Sequence, residues 1–353
     1  MIEEIKLSEN DINEMLQTIN SGLYTKFVTN GTSYSLDPME YTEIEIDGYK
    51  VNLLQFLQFD IFLDSLCNAN CPFCINKAKN TQIKDSIKKD ILSYPDFIKR
   101  FDNVYKQMES QLIHKPFIML TGGEPTISPR FIPFIQHLLK RKIRYNLLTN
   151  GSNLVKNIDG KLLIDIMAPN CNGMQISRAH YDDNKNRELM NLNVKVTNEN
   201  LKKAIEIMHE KFLQPYHVGF SCMMMKTGIH TLEDIKNYIE HYKDLNLSII
   251  VFREMENISE YTEDIENVNK IYFKFEDIKN DLLNDKDFVL TDTFNQNNYV
   301  NYYFKYKNYD LPISFSCPGP MKERLIPDGK INGLTMNPNG RLYYNYFYDL
   351  KIK

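Results

Sequence analysis

No uninterrupted apolar run in this chain of 353 residues approaches the roughly 18 residues that a membrane helix needs. The opening stretch MIEEIKLSENDINEML is acidic and amphipathic and lacks the apolar centre of a signal peptide. Both absences predict a cytoplasmic protein with no membrane partner. A basic excess is also missing: 42 Lys and Arg stand against 46 Asp and Glu, for a formal net charge of −4. That balance gives no global field for a polyanion, so nucleic acid is not expected as a partner. No internal repeat and no low-complexity linker interrupt the sequence. What remains is a composition that is 42% hydrophobic and 25% charged, ordinary for a globular protein with a sizeable core.

Short apolar runs alternate with helical patterns through the middle of the chain. The strands expected are Phe59–Leu63, Phe117–Leu120, Tyr145–Leu148, Met174–Ser177, Val218–Met223 and Ser248–Phe252. Helices are expected at Pro95–Ile113, Arg130–Lys140, Asn198–Phe212 and Thr231–Tyr242. Such alternation predicts parallel strands with right-handed helical crossovers. Six strands fit either a partial barrel or an open doubly wound sheet. Three regions follow: residues 1–55, with a helix near Ser8–Ile19 and a hairpin turning at Thr29-Asn30-Gly31; an α/β core at 56–256; and a C-terminal extension at 257–353 that caps the core. Within the extension, residues 256–295 read as acidic and helical, 299–315 as aromatic, and Pro338-Asn339-Gly340 as the turn of a final hairpin.

Of six cysteines, three crowd into the eight residues Cys67-Asn-Ala-Asn-Cys71-Pro-Phe-Cys74, directly after an expected strand. Reducing cytoplasm favours metal ligation over disulfides at such spacing. Three soft thiolates on one loop suit iron–sulfur or zinc coordination. A structural zinc site takes a fourth ligand, usually from a second Cys or His pair, and no further CxxC or HxxxH pair occurs. A cluster with one iron open to a ligand is therefore the better reading. Two rivals are a non-catalytic iron–sulfur electron-transfer or sensor protein and a zinc-stabilised binding module.

The CxxxCxxC spacing, with Phe73 before the last Cys, resembles the signature of the radical S-adenosylmethionine (SAM) superfamily. The strand FIML is followed by Thr121-Gly122-Gly123-Glu124-Pro125, similar to that family's GGEP segment. Thr149-Asn150-Gly151, Ser177-Arg178 and Phe252-Arg253-Glu254-Met255 follow in family order at later strand ends. The resemblance covers roughly residues 57–256 and is to single-cluster members of the molybdenum-cofactor and peptide-maturase branch. It implies a partial (β/α)6 TIM-like barrel, here with a short N-terminal segment and a C-terminal α+β extension.

By the same resemblance, Cys67, Cys71 and Cys74 hold a [4Fe–4S] cluster. Gly122, Gly123 and Glu124 hold the methionine end of SAM, Ser177 reaches its ribose, and Phe73 and Met255 flank its adenine. Thr149 and Asn150 line SAM or substrate, and Arg253 meets a carboxylate. An external donor such as flavodoxin or ferredoxin supplies one electron, SAM is cleaved, and a 5′-deoxyadenosyl radical abstracts hydrogen from a small-molecule or peptide substrate. Two further residues are candidates for catalysis. His180 stands beside Asp182 and Asp183 as an acid–base group, and Cys317 is a hydrogen-atom donor of the kind that epimerases in the family use. The C-terminal half has only Cys222 and Cys317, too few for the auxiliary clusters of many peptide-modifying members, which favours a small-molecule substrate.

Overall fold

The computed structural model describes residues 41–74, 90–211, 217–255, 265–296, 299–318, 330–344 and 348–349, with Ser8 and Asn10. The expected Thr29-Asn30-Gly31 hairpin, and the N-terminal helix apart from those two residues, lie outside them. The described part opens on a hairpin of β1 (Tyr41–Ile46) and β2 (Tyr49–Phe62). Its two-residue loop is Asp47-Gly48, with φ of 53° and 82°. Positive φ at both positions is what a type I′ turn requires, and Asp-Gly meets it. Then come α1 (Tyr94–Glu109), β3 (Phe117–Thr121), α2 (Phe131–Lys140) and β4 (Tyr145–Thr149). A two-rung hairpin, β5 (Asn157–Ile158) with β6 (Lys161–Leu162), precedes α3 (Leu163–Met167) and β7 (Cys171–Ser177). The core continues through α4 (Asp183–Leu189), α5 (Asn198–Lys211), β8 (His217–Met223), α6 (Leu232–Tyr242) and β9 (Ile249–Arg253). All six expected core strands are present.

Local chemistry explains the helix starts. Ser93 caps α1 by accepting the Asp96 N–H, with Pro95 in the first turn. A full capping box of Thr231 and Asp234 opens α6. The buried set of α1, Phe97, Phe101, Val104, Tyr105 and Met108, recurs at helical spacing and forms one apolar stripe. No helix among the described residues is long and apolar enough to cross a membrane.

The C-terminal part contains α7 (Ile265–Ile271), α8 (Glu276–Asn284), β10 (Phe288–Gln296), β11 (Tyr299–Tyr306), β12 (Ile313–Pro318), β13 (Lys330–Met336), β14 (Leu342–Tyr344) and β15 (Tyr348–Asp349). Residues 288–296 were expected to continue a helix. They are a strand because FVLTDTF is rich in β-branched and aromatic residues. The thirteen-stranded sheet has the order β10-β11-β12-β9-β8-β7-β4-β3-β2-β13-β14-β15, with β1 on β2. From β12 to β13, counting both, eight strands are joined by parallel pairings, so the fold is mixed α/β with a large parallel sheet. The divisions expected at 55/56 and 256/257 are not seams. β2 runs unbroken through the first, and β12 and β13 pair with the edge strands β9 and β2. The extension widens the sheet.

One face of the sheet is packed under the helices. Phe59 stacks on Phe101 of α1, Phe220 and Phe252 meet Tyr242 and Tyr238 of α6, and Phe315 meets Phe275 beside α8. Side chains alternate along a strand, and the registers carry that parity across the sheet. The opposite face, the interior of a (β/α) barrel, therefore takes Asp60, Met119, Asn146, Gln175, Ser221, Arg253, Ser316 and Thr335. Parallel-barrel interiors usually fill with Val, Ile and Leu. This one is polar.

Candidate functional site

The three-cysteine loop leaves the carboxyl end of β2 and is tied to each neighbouring strand end in turn. The Leu66 carbonyl accepts the Glu124 N–H at 2.7 Å. Asn68 receives the Asn150 amide at 2.8 Å and donates to the Ser152 hydroxyl at 2.9 Å. Beyond α4, the Asn68 carbonyl accepts the Asn193 N–H at 2.9 Å and the Asn191 carbonyl accepts the Asn70 N–H at 3.0 Å. Cys71 to Cys74 is a tight turn closed by a 3.3 Å backbone bond, with Pro72 preset for it. The Cys71 thiol donates to the Met190 carbonyl at 3.3 Å. Cys67 is exposed, Cys71 and Cys74 are half-buried, and none is in a disulfide.

Among the described residues, no three Cys, His, Asp or Glu side chains stand as a closed metal set. By donor chemistry and by their anchored loop the three cysteines fit an iron–sulfur cluster, which on binding would draw the thiols together, as in other metal sites that assemble with their metal.

Gly122 and Gly123 are required by the backbone. Gly122 has φ of +120°, and a Cβ on Gly123 would stand 2.0 Å from the Leu66 carbonyl oxygen. The GGEP segment lies directly against the cysteine loop. Glu124 is only 2% exposed. Its Oε1 accepts the Thr126 N–H at 3.2 Å and the Thr126 and Thr149 hydroxyls at 2.6 and 2.7 Å; its Oε2 accepts the Asn150 N–H at 2.7 Å. Burial pushes its carboxyl above the ordinary range while these donors pull it back. Thr149 and Asn150 are buried as well. In this arrangement the Glu124 carboxylate, expected to meet SAM, is taken up by Thr126, Thr149 and Asn150. Their polar groups turn inward and hold the ends of β3 and β4 to the cysteine loop.

Across the rim, Arg253 donates to the Ser221 hydroxyl and to the Gln175 side-chain oxygen, both at 2.9 Å, on the interior face. Ser177 is the register partner of Ser221. It does not cap α4, because Asp182 does so through the Lys185 N–H at 2.8 Å. Phe73 and Met255 meet in one apolar cluster with Met223 and Val268, so the cysteine loop reaches the end of β9.

Two expected residues are placed otherwise. His180 accepts the Asp182 N–H on Nδ1 at 2.9 Å, and burial lowers its pKa. That backbone bond engages Nδ1 and leaves Nε2 as the ring's other nitrogen for a proton or a partner. Its ring lies on Tyr181, with centroids 4.4 Å apart. Cys317 shares strand parity with Phe315, which contacts Phe252 and Phe275. It therefore lies on the helix-covered face, its thiol raised by burial and by Glu254, while Ser316 takes the interior.

Sequence reasoning missed Asn68 and residues 190–193, whose role is wholly tertiary. It also passed over Arg178 as a support. That side chain is fully buried and donates to Tyr242, Val196, Tyr181, Asp183 and Asn198, fixing the segment that carries residues 190–193.

The chain is 23% identical over 202 residues to the tungsten-containing aldehyde ferredoxin oxidoreductase cofactor-modifying protein of Pyrococcus furiosus, covering 56% of this chain and 49% of that one. It is 24% identical over 102 residues to neomycin C epimerase of Streptomyces fradiae, covering 29% and 30%. The chain thus spans about half of the first relative and less of the second. Among solved structures, Streptococcus suis SuiB superposes with a TM-score of 0.49 at 14% identity, over 82% of this chain and 60% of that one. The family profile described as the radical SAM superfamily matches residues 65–242, half of the sequence, and on that match the chain belongs to the radical SAM superfamily.

Proposed function

We propose that this chain is a radical SAM enzyme acting on a small-molecule or peptide substrate. When bound, the [4Fe–4S] cluster and SAM used by this family supply a one-electron cleavage and, through it, abstraction of a substrate hydrogen atom. The observation that carries the reading is the anchoring of the Cys67–Cys74 loop at the strand ends, where Phe73 packs against the cluster of Met255 and Val268. Cys67, Cys71 and Cys74 hold the cluster. The apolar pair Phe73 and Met255 suits an adenine, the Ser177 hydroxyl a ribose, and the Arg253 guanidinium a carboxylate. Gly122 and Gly123 keep their backbone at the rim, and the buried Glu124 keeps that rim rigid. An external one-electron donor such as flavodoxin or ferredoxin completes the system.

A maturase or epimerase activity is favoured within the family by the names of the relatives, an epimerase and a cofactor-modifying protein. The test is anaerobic reconstitution followed by iron and sulfide analysis and assay of SAM cleavage. About four irons per chain and release of 5′-deoxyadenosine are expected. Single Ala variants of Cys67, Cys71 and Cys74 should lose both. Wild-type iron and turnover in any of the three would overturn the assignment.

A further inference from the structure

All three residues between Cys67 and Cys71 are held by one short stretch of another element. The Asn193 N–H donates to the Asn68 carbonyl at 2.9 Å and the Asn70 N–H to the Asn191 carbonyl at 3.0 Å. Between these bonds, Ala69 and Leu192 form an isolated antiparallel bridge. The interval from Cys71 to Cys74 is closed by the backbone bond of its own turn. Spacing between the first two cysteines is instead set from outside their loop, by residues 191–193.

That stretch owes its direction to the way α4 stops. The Leu192 N–H reaches back to the Arg187 carbonyl and the Asn191 N–H to the Glu188 carbonyl, both at 3.0 Å. Such paired bonds mark a helix end whose turning residue is left-handed, and Asn191 has φ of 45°. Gly takes that conformation freely, Asn and Asp tolerate it, and β-branched residues resist it. The Asn191 side chain is exposed, whereas Leu192 is only 4% exposed. What Asn191 contributes is therefore a backbone direction: the chain turns there so that the Asn191 carbonyl and the Asn193 N–H both meet the cysteine loop. The footing is firm, because Arg178 binds Tyr181 and Asp183 where the excursion of residues 178–196 departs and Val196 and Asn198 where it returns. A metal centre gathers thiolates that repel one another, and a loop already held in register loses less freedom on binding it.

We propose that the turn ending α4 is a positioning element for the metal centre, with Asn191 as the positioning residue that keeps Cys67 and Cys71 in register. This rests on the radical SAM reading above and deepens it. Asn191→Val and Asn191→Gly test it, since both remove the same exposed side chain and only Gly keeps the left-handed backbone without strain. In iron-free protein, amide hydrogen exchange at Asn70 and Asn193 should be about tenfold faster in the Val variant, the scale of the strain that a β-branched residue meets there. The Gly variant should exchange at the wild-type rate. After anaerobic reconstitution the Val variant should hold several-fold less iron, and the cluster it does hold should give an altered electron paramagnetic resonance spectrum once reduced. The Gly variant should match wild type in both. Amides of the central strands should exchange at wild-type rates in both variants, which separates a local loosening from a weaker fold.

Wild-type exchange and iron content in Asn191→Val would overturn the proposal. Equal damage in Asn191→Gly would do so too, by placing the effect in the side chain, as would faster exchange throughout the central strands. Wild-type protein that takes up no iron would instead overturn the earlier reading. The exchange measurements, made without iron, separate the two cases.

Discussion

The side chains that matter most at single-residue scale are those that position the cysteine loop. Gly123 illustrates this: its missing Cβ leaves room for the Leu66 carbonyl. In Gly123→Ala the methyl group has to displace backbone and not a flexible side chain, so the cysteine loop shifts. The expected outcome is at least a several-fold loss of bound iron with little change in far-UV circular dichroism; full iron occupancy would show that the loop tolerates the shift. The glycines, Glu124 and the three cysteines were legible in the sequence because their order and spacing survive without a fold. What Glu124 touches was not legible. A carboxylate directed at a ligand and one buried under Thr126, Thr149 and Asn150 have the same letter. For His180, the neighbouring acids invited an acid–base reading, whereas an Asp182 backbone N–H occupies one ring nitrogen.

At the scale of elements, period and punctuation located the core strands and helices because each is decided within a few residues. Asp47-Gly48 carried an equally local hairpin signal that the reading passed over. Pairings between distant elements had no local signal. β13 lies beside β2, some 270 residues away, and no spacing rule points there. The face that Cys317 takes had no local signal either: strand alternation shows which residues share a face, and only Phe315 packed on Phe275 shows which face is interior.

One pairing of elements is pH-sensitive. Glu240 on α6 receives the Lys307 ammonium and, at 2.9 to 3.1 Å, the Tyr309 and Tyr306 hydroxyls and Lys243. Lys307 first among these holds it down to about 2, against an ordinary 4.5. A depressed carboxyl contributes stability above its unfolded-state value, and that contribution is lost as pH falls from about 4.5 towards 2. The group is nearly a third exposed, so screening reduces the effect to about 1 kcal/mol. Glu240→Gln should therefore lower the urea midpoint at neutral pH and converge with wild type near pH 2. Parallel curves over that range would remove Glu240 from the acid response.

For the molecule as a whole, the parallel sheet is assembled from both sides of the sequence. Eight strands share one direction, and the two outermost, β12 and β13, come from beyond residue 312. A chain ending at residue 318 would keep every cysteine of the loop and every core strand. It would leave bare the edge of β2 opposite β1 and β3, and an unpaired strand edge invites association with other chains. Such a chain should aggregate and retain less iron per monomer than full-length protein. A monomeric truncated form with full iron would show that β13 is dispensable.

The pairing of β2 with β13 also sets an order of events during synthesis. The cysteines follow β2 immediately, so they leave the ribosome more than 250 residues before the strand that covers the flank of their support. Long-range pairing of this kind forms late. For most of the chain's emergence the loop is a set of reactive thiols on an unfinished scaffold, open to oxygen and to stray metal ions. Maturation of the metal centre thus belongs to the completed protein, and an expression strategy that delays iron supply until synthesis is over should give the more fully loaded product.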